Sequence, residues 1–380
     1  MKNKTFKEVF GVKPEYFYKA PARINLIGEH IDYNGGHVLP ACISLYIYAN
    51  VAKRNDDKIR IYSTNFDSII ETNLEHLEFD NKFEWAIYTV GVFYTLKKKG
   101  IKFESGFDIY YDSRIPVGSG LSSSAAILDL TFYFLSDLLN LNISRENIAL
   151  YGKDVENNYC NVASGIMDEA IISLGKKNNA LFLDCATFDY KYCPMSIDDY
   201  SFVVLKSNKK RKLTESKYNE RVIECNKALD VLKNHYNIKN LCELSNDDLD
   251  EALSFIDDIN IKKRIKHVVS EESRVNQFVE ALNKGDINTL GKLLNASDMS
   301  LKEDYEVTGF HLDSLTEAAR NSGAIGSRMT GAGFGGCAIA LIKTSDFESF
   351  KEKVMNEYYS KTEIMPEVLL VDIVDGVSNA

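Results

Sequence analysis

Hydrophobic positions in the first half of the chain fall into short runs separated by longer apolar stretches. Leu45–Val51, Ile59–Ser63, Phe107–Tyr111 and Ala180–Asp184 have the β-branched and aromatic content of strands. Between them lie helical segments, of which Ala125–Leu141 is the most apolar. From about residue 195 onward, long polar helices take over. Tyr218, Val222, Cys225, Leu229 and Leu232 recur at helical spacing, as do Leu312, Leu315 and Ala319. Two strand-like runs, Cys337–Ile342 and Val368–Val374, follow. The chain carries no internal repeat, low-complexity tract or Pro/Gly-rich linker. The change of pattern predicts a two-domain α+β protein with its boundary near 195–205.

Composition narrows the function. The 380 residues include 55 acidic and 45 basic side chains, a net charge of −10, which argues against a nucleic-acid partner. A hydrophobic content of 45% is that of an ordinary globular chain. The seven cysteines are scattered, without a C-x-x-C pair or a His at zinc-ligand spacing, so a reduced, cytoplasmic compartment fits. The segment MKNKTFKEVFGVK lacks the apolar stretch of a signal peptide, and Asp129 and Asp137 interrupt Ala125–Leu141, so no membrane span is expected.

Two glycine-rich loops differ in context. Pro116-Val-Gly-Ser-Gly-Leu-Ser-Ser-Ser124 follows a strand pattern and precedes a helix. That order collects free backbone N–H groups, three hydroxyls and the positive end of a helix dipole, as an anionic phosphate needs. A turn with a Ser N-cap is the plainer alternative. In Met329-Thr-Gly-Ala-Gly-Phe-Gly-Gly336, the glycines match G-x-G-x-x-G, but a helix precedes and a strand follows. The reversed order excludes a dinucleotide fingerprint, leaving either support for a phosphate site or tight helix–strand packing. No Walker-type loop and no protein-kinase signature is present.

The segment from Ala20 to Gly36 places Arg23, Glu29, His30 and Asp32 within ten positions and ends in a Gly-Gly turn. Such a density of donors and acceptors suits a polyhydroxylated ligand, or else forms a polar loop closed by Asn34-Gly35. Further along, Met167, Ile171 and Leu174 start a helix with Ser164 as candidate N-cap, which puts Asp168 in the first turn. Glu156 lies twelve residues earlier, either a metal ligand beside a loop hydroxyl or a solvated helix residue. The basic run Lys209–Lys212 reads as a solvated loop, with a supporting role on the phosphate side as the lesser alternative.

Together these segments resemble the GHMP family of small-molecule kinases. RINLIGEHIDYNGG (23–36) is similar to the signature of its galactose-phosphorylating members, PVGSGLSSSAA (116–126) to the ATP-binding motif, and GSRMTGAGFGGC (326–337) to the C-terminal glycine motif. TESKYNERVIEC (214–225) and KEDYEVT (302–308) match in place and order. The resemblance implies a βαβ-type domain over 1–198 and a ferredoxin-like domain over 199–380, with the active site between them. The implied reaction is ATP-dependent phosphorylation of the anomeric hydroxyl of galactose. A kinase for N-acetylgalactosamine or a pentose, and a non-catalytic galactose and ATP sensor, are the alternatives. By position, Asp168 is the implied catalytic carboxylate and Arg23 its partner. Glu29, His30, Ile31, Asp32, Gly165 and Tyr218 are the implied sugar contacts. Gly118, Ser119, Gly120, Leu121, Ser122, Ser123 and Ser124 are implied around the ATP phosphates, with Ser63 near the nucleotide, and Ser124 and Glu156 on Mg²⁺. The implied protein is a cytoplasmic monomer with no nucleic-acid or membrane partner.

Three positions depart from the family pattern. Glu169 stands where Gln is usual, Asp298 lies in the stretch that usually holds a His, and His311-Leu-Asp313 replaces Glu-Leu-Asp. A carboxylate added beside Asp168 is expected to raise the pKa of one of the two if they approach closely.

Overall fold

The protein is described by a computed structural model covering residues 4–380 except 117–119, 163 and 210–213, with backbone alone at 214–216. The first half runs α1 (Phe6–Phe10), β1 (Tyr16–Asn25), β2 (His37–Val38), β3 (Pro40–Lys53), β4 (Lys58–Ser63) and β5 (Ser68–Asn73). Then come α2 (Ile87–Lys98), β6 (Phe107–Ser113), α3 (Ser123–Leu138), α4 (Arg145–Asp154), α5 (Met167–Leu174), β7 (Asn179–Asp184) and β8 (Tyr190–Pro194). The second half comprises β9 (Tyr200–Lys206), α6 (Thr214–Leu232), α7 (Leu249–Ser254), α8 (Ile259–Lys284), α9 (Ile287–Glu303) and α10 (Gly309–Asn321). It closes with β10 (Gly326–Thr330), β11 (Cys337–Lys343), α11 (Phe347–Thr362), β12 (Glu367–Leu370) and β13 (Ser378–Asn379).

Six strands in the order β13-β1-β3-β6-β4-β5 form the first sheet. The β4–β6 pair is parallel, so the chain must cross over between them, and α2 lies on that crossover. Strand β1 pairs with β3 from Tyr16 to Asn25, but the register slips at Pro21: Pro21 faces Tyr46 whereas Ala22 faces Ile43. Proline has no N–H to give to the ladder and is tolerated at such irregularities. The slip lies two residues before Arg23. On β3 it frees Ser44, which bonds Asp372 near the end of the chain through both N–H and hydroxyl.

The second sheet is antiparallel, in the order β10-β11-β9-β12, with helices between β9 and β10 and between β11 and β12. This is the ferredoxin-like arrangement. Both of its faces are buried. Phe202 and Val204 of β9 and Cys337, Ile339 and Leu341 of β11 join the main core, while Val203, Leu205, Ala338, Ala340 and Ile342 pack against α10 and α11. Burial on both faces explains why Cys337–Ile342 reads as an unbroken apolar run. The main core continues across both halves of the chain, and β13 crosses back to β1, so a division at residue 198 leaves the last strand on the far side of it.

Two local expectations are corrected. The strand predicted over Val368–Val374 ends at Leu370, and in the rest of that run Ile373 makes a single bridge, to Ile43. The N-cap position of α5 is Ile166, without a side-chain bond, because the Ser164 hydroxyl donates to Asn157 instead. Among the described residues, no helix is long and apolar enough to cross a membrane.

Candidate active site

Arg23 and Asp168 are 145 positions apart in sequence and meet as a bidentate pair, with Nε donating to Oδ1 at 2.6 Å and Nη2 to Oδ2 at 2.8 Å. Strand β1 supplies the arginine and the first turn of α5 the carboxylate. A third guanidinium bond, Nη1 to the Gly120 carbonyl at 2.8 Å, ties the pair to the serine-rich loop. The Arg23 side chain is 5% exposed and that of Asp168 29%, so the carboxylate is the open member. Burial alone would lower the Arg23 pKa, but Asp168, with Glu29 and Asp32 behind it, outweighs that cost and raises it.

The serine-rich loop is where simple capping fails. Ser122 occupies the N-cap position of α3 in the left-handed region (φ 62°) and makes no cap bond. Its hydroxyl donates to Asp168 Oδ2. The Ser122 side chain therefore does not cap α3, and Ser123 and Ser124 sit half-buried in its first turn. Leu121 is buried and accepts from the Arg23 backbone N–H. Gly118 and Ser119 lie outside the described residues. Ser63 ends β4, where its carbonyl accepts from Asp67 N–H at 2.9 Å.

The two glycine loops face each other. A Cβ on Gly331 would lie 2.7 Å from the Gly120 carbonyl, and one on Gly333 2.3 Å from that of Val307, with φ of +84° and +77° at the two glycines. Their glycines answer to close backbone approach, which only a residue without a Cβ permits. Gly331 N–H in turn donates to Glu29 Oε1 at 2.8 Å.

Glu29, one of the implied sugar contacts, is held by partners from both halves of the chain. It is 2% exposed, with Oε1 also 3.4 Å from Arg328 Nη1 and Oε2 accepting from Asn25 at 3.1 Å. Arg328 itself is fully buried and bonds the carbonyls of Asn25, Leu26 and Met329. It joins β10 to the end of β1. Arg328 was missed in sequence; an arginine directly before the second glycine-rich loop was the signal available. Ile31 is a core residue whose carbonyl closes the turn by accepting from Asn34 and Gly36.

Asp32 and Gly165 are in direct contact: a Cβ on Gly165 would fall 1.8 Å from Asp32 Oδ2. Burial, followed by the charges of Asp168 and Glu29, pushes the Asp32 pKa up to about 7. His30 is buried in the left-handed region (φ 63°), with its ring near those of Tyr218 (5.6 Å) and Tyr305 (4.9 Å). Burial lowers its pKa to about 3, so the ring is neutral at physiological pH.

Behind Asp168 lies a buried acidic group. Glu156 sits on a π-helical turn (Val155–Tyr159) that continues α4, not on a solvated helix face. Burial raises its pKa, opposed by the Ser164 and Ser124 hydroxyls beside it. Glu169 is fully buried, and its carboxyl oxygens find no partner at full hydrogen-bond distance among the described residues, with the Glu156 carboxyl beside them. Its pKa is raised well above the usual carboxylate range, by burial first and then by Glu156, Asp168 and Asp129. The expected effect of this extra carboxylate is present, but desolvation outranks the neighbour. Of the other departures, Asp298 is spent on Thr316 and Arg320, and His311 lies in the first turn of α10. No group of three or more His, Cys, Asp or Glu side chains among the described residues is arranged to hold a metal ion.

These features define a small-molecule kinase of the GHMP class. Residues 87–176 match the GHMP kinases N terminal domain and residues 278–361 the GHMP kinases C terminal domain. The fold alone extends to mevalonate kinase from Methanococcus jannaschii, at 20% identity and a TM-score of 0.71 over 95% of this chain and 99% of that one. Residues 4–53 match the galactokinase galactose-binding signature. The galactokinases of Ligilactobacillus salivarius and Clostridium acetobutylicum are each 44% identical, over 98% and 99% of this chain and 97% of theirs. Lactococcus lactis galactokinase, solved with galactose, superposes with a TM-score of 0.96 at 41% identity, covering 99% of this chain and 98% of that one. The chain belongs to the galactokinase family.

Proposed function

We propose that this protein transfers the γ-phosphoryl group of ATP to the anomeric hydroxyl of galactose, giving galactose 1-phosphate and ADP. The observation that carries the reading is the bidentate Arg23–Asp168 pair, locked to Ser122 and Gly120 of the phosphate loop and adjoining the galactose-signature loop. Phosphoryl transfer passes through a loose transition state in which alignment and charge neutralisation dominate. The attacking oxygen keeps its proton until late in such a reaction. Asp168, held in place by Arg23 and Ser122, therefore orients the hydroxyl first and takes its proton as the new P–O bond forms. Arg23 cannot swing away without breaking three hydrogen bonds. Its positive charge is thus already in place when negative charge builds on the transferred group.

The start of α3, which the Ser122 side chain leaves uncapped, offers main-chain N–H groups to the ATP phosphates. Asp32, His30 and Tyr218 provide the polar wall for the sugar. Ser124 and the buried Glu156 offer hard oxygen donors that fit Mg²⁺, whose remaining ligands would come from phosphate and water. When bound, the ion supplies charge neutralisation at the phosphates. The reading needs no nucleic-acid or membrane partner, and a monomer in the cytoplasm suffices for it.

Incubating the protein with ATP, Mg²⁺ and a panel of sugars tests the assignment. Galactose should be the preferred acceptor, ³¹P NMR should place the phosphate on the anomeric oxygen, and EDTA should stop ADP release. Preference for N-acetylgalactosamine, a pentose or another sugar would overturn the substrate, and galactose binding without ADP release would overturn the reaction. A second measurement addresses the floor of the sugar site. Gly165→Ala puts a methyl group where Asp32 Oδ2 lies. It should raise the galactose KM, with a loss of about 10²-fold in kcat/KM. Unchanged sugar kinetics would remove Asp32 from the sugar site.

A further inference from the structure

Beneath the sugar loop, four side chains stand in line. Cys225 Sγ is 3.1 Å from Tyr305 Oη, Tyr305 Oη is 2.7 Å from Tyr33 Oη, and Tyr33 Oη is 3.0 Å from His30 Nδ1. Each phenol has one proton, so the directions of these contacts are linked. If Tyr33 donates to Nδ1, its oxygen must accept from Tyr305, and the Tyr305 oxygen accepts from the Cys225 thiol. The reverse direction protonates Nδ1, leaves Nε2 a bare acceptor and ends on sulfur, a weak acceptor.

Two observations select the first direction. His30 Nε2 is buried with no partner at full hydrogen-bond distance among the described residues, so a bare lone pair there would stay unpaired whereas a proton faces the Ala332 backbone. The backbone of Ala332 also favours a proton on the ring. Because the ring is neutral, the partner on one nitrogen fixes what the other carries.

The relay is anchored at its far end. Tyr305 is fully buried, with its N–H bonded to Ser300 O at 2.9 Å and its carbonyl to Arg221 Nε at 2.8 Å. Arg264 holds the preceding carbonyl, of Asp304, at 2.6 Å, and both arginines bond Glu224 on α6. At the near end, Asn34 Nδ2 donates to the His30 carbonyl at 2.9 Å and steadies its left-handed backbone.

We propose that Tyr33 and Tyr305 form a directional hydrogen-bond relay that fixes His30 as its Nε2–H tautomer, presenting that N–H as a donor to a sugar hydroxyl. The sugar-facing half of this statement rests on the galactose reading above. Neither tyrosine touches the substrate in this arrangement. Both are positioning residues, and the second half of the chain thereby sets the chemistry of a loop in the first.

The test has two readouts. Long-range ¹H–¹⁵N NMR of protein labelled at its six histidines should show His30 with its proton on Nε2, and in Tyr33→Phe a mixture of tautomers. In steady-state kinetics, Tyr33→Phe should raise the galactose KM about tenfold, as for one lost hydrogen bond, with kcat and the ATP KM within about twofold. Tyr305→Phe should shift both readouts the same way, less strongly; if it does not fold, Tyr33→Phe carries the same test. A proton on Nδ1 in the wild type, or an unchanged tautomer in Tyr33→Phe, overturns the relay, and a matching fall in kcat overturns its confinement to sugar binding. The tautomer is read without substrate, so a wild-type protein that phosphorylates a different sugar defeats the functional reading and leaves this test standing.

Discussion

Asp168→Asn should lower kcat by about 10²–10⁴-fold, the range for loss of a positioned proton acceptor, while galactose binding changes little. The substitution keeps the shape of the side chain but removes its charge and one of the two oxygens that Arg23 grips. A phosphoryl acceptor then loses the group that orients its hydroxyl and takes its proton. Sugar binding persists because Asp32, His30 and Tyr218 belong to other elements. The assay is ADP release under saturating ATP, paired with calorimetric titration of galactose. A variant turning over within tenfold of the wild type would refute the role assigned to Asp168; one that no longer binds galactose would show that the pair is mainly structural.

Arg328→Met should cost about 3–5 kcal/mol of stability, because it strands the buried Glu29 carboxylate without its cation. It also frees the carbonyls of Asn25, Leu26 and Met329, three acceptors that burial cuts off from water. Urea unfolding followed by two independent probes measures the loss. Glu29→Gln should cost less, since an amide at that site can still accept from Gly331 and leaves no bare negative charge. Stability of Arg328→Met within 1 kcal/mol of the wild type would show that the pair contributes little. Where the variant folds, its galactose KM should rise, since Glu29 anchors the loop that carries His30 and Asp32.

The serine-rich loop and the Ala20–Gly36 segment were legible as candidate sites because their chemistry is dense and local. The first has unspent N–H groups before a helix, and the second has four polar side chains in ten positions. The reversed order around the second glycine loop was also enough to exclude a dinucleotide site. Spacing failed where the answer depended on a distant partner. Ser164 was a plausible cap until Asn157 took its hydroxyl, and nothing near Glu29 in sequence announces its partner Arg328, 299 positions away. A Ser N-cap was the plainer reading of the loop, but Ser122, at the cap position of α3, serves Asp168 instead.

Glu156 and Glu169 show the same limit from the opposite side. Nothing in the sequence says that a carboxylate will be desolvated, because burial is decided by which helices close over it. Here α3, α4 and α5 do so, and both groups are raised by that burial before any neighbour acts.

By itself the sequence determined the α+β class, several strands including β3, β4, β6, β7 and β11, and the segments that carry chemistry, because periodicity, glycine placement and charge density act over a few residues. Only the tertiary structure decided that Arg23 grips Asp168, that Gly331 rests on Gly120, that Glu29 belongs to Arg328, and that Tyr305 reaches His30 through Tyr33. Each of these joins residues more than 140 positions apart. Such pairings leave no local trace. They are fixed by which faces bury together, and that is a property of the packed core.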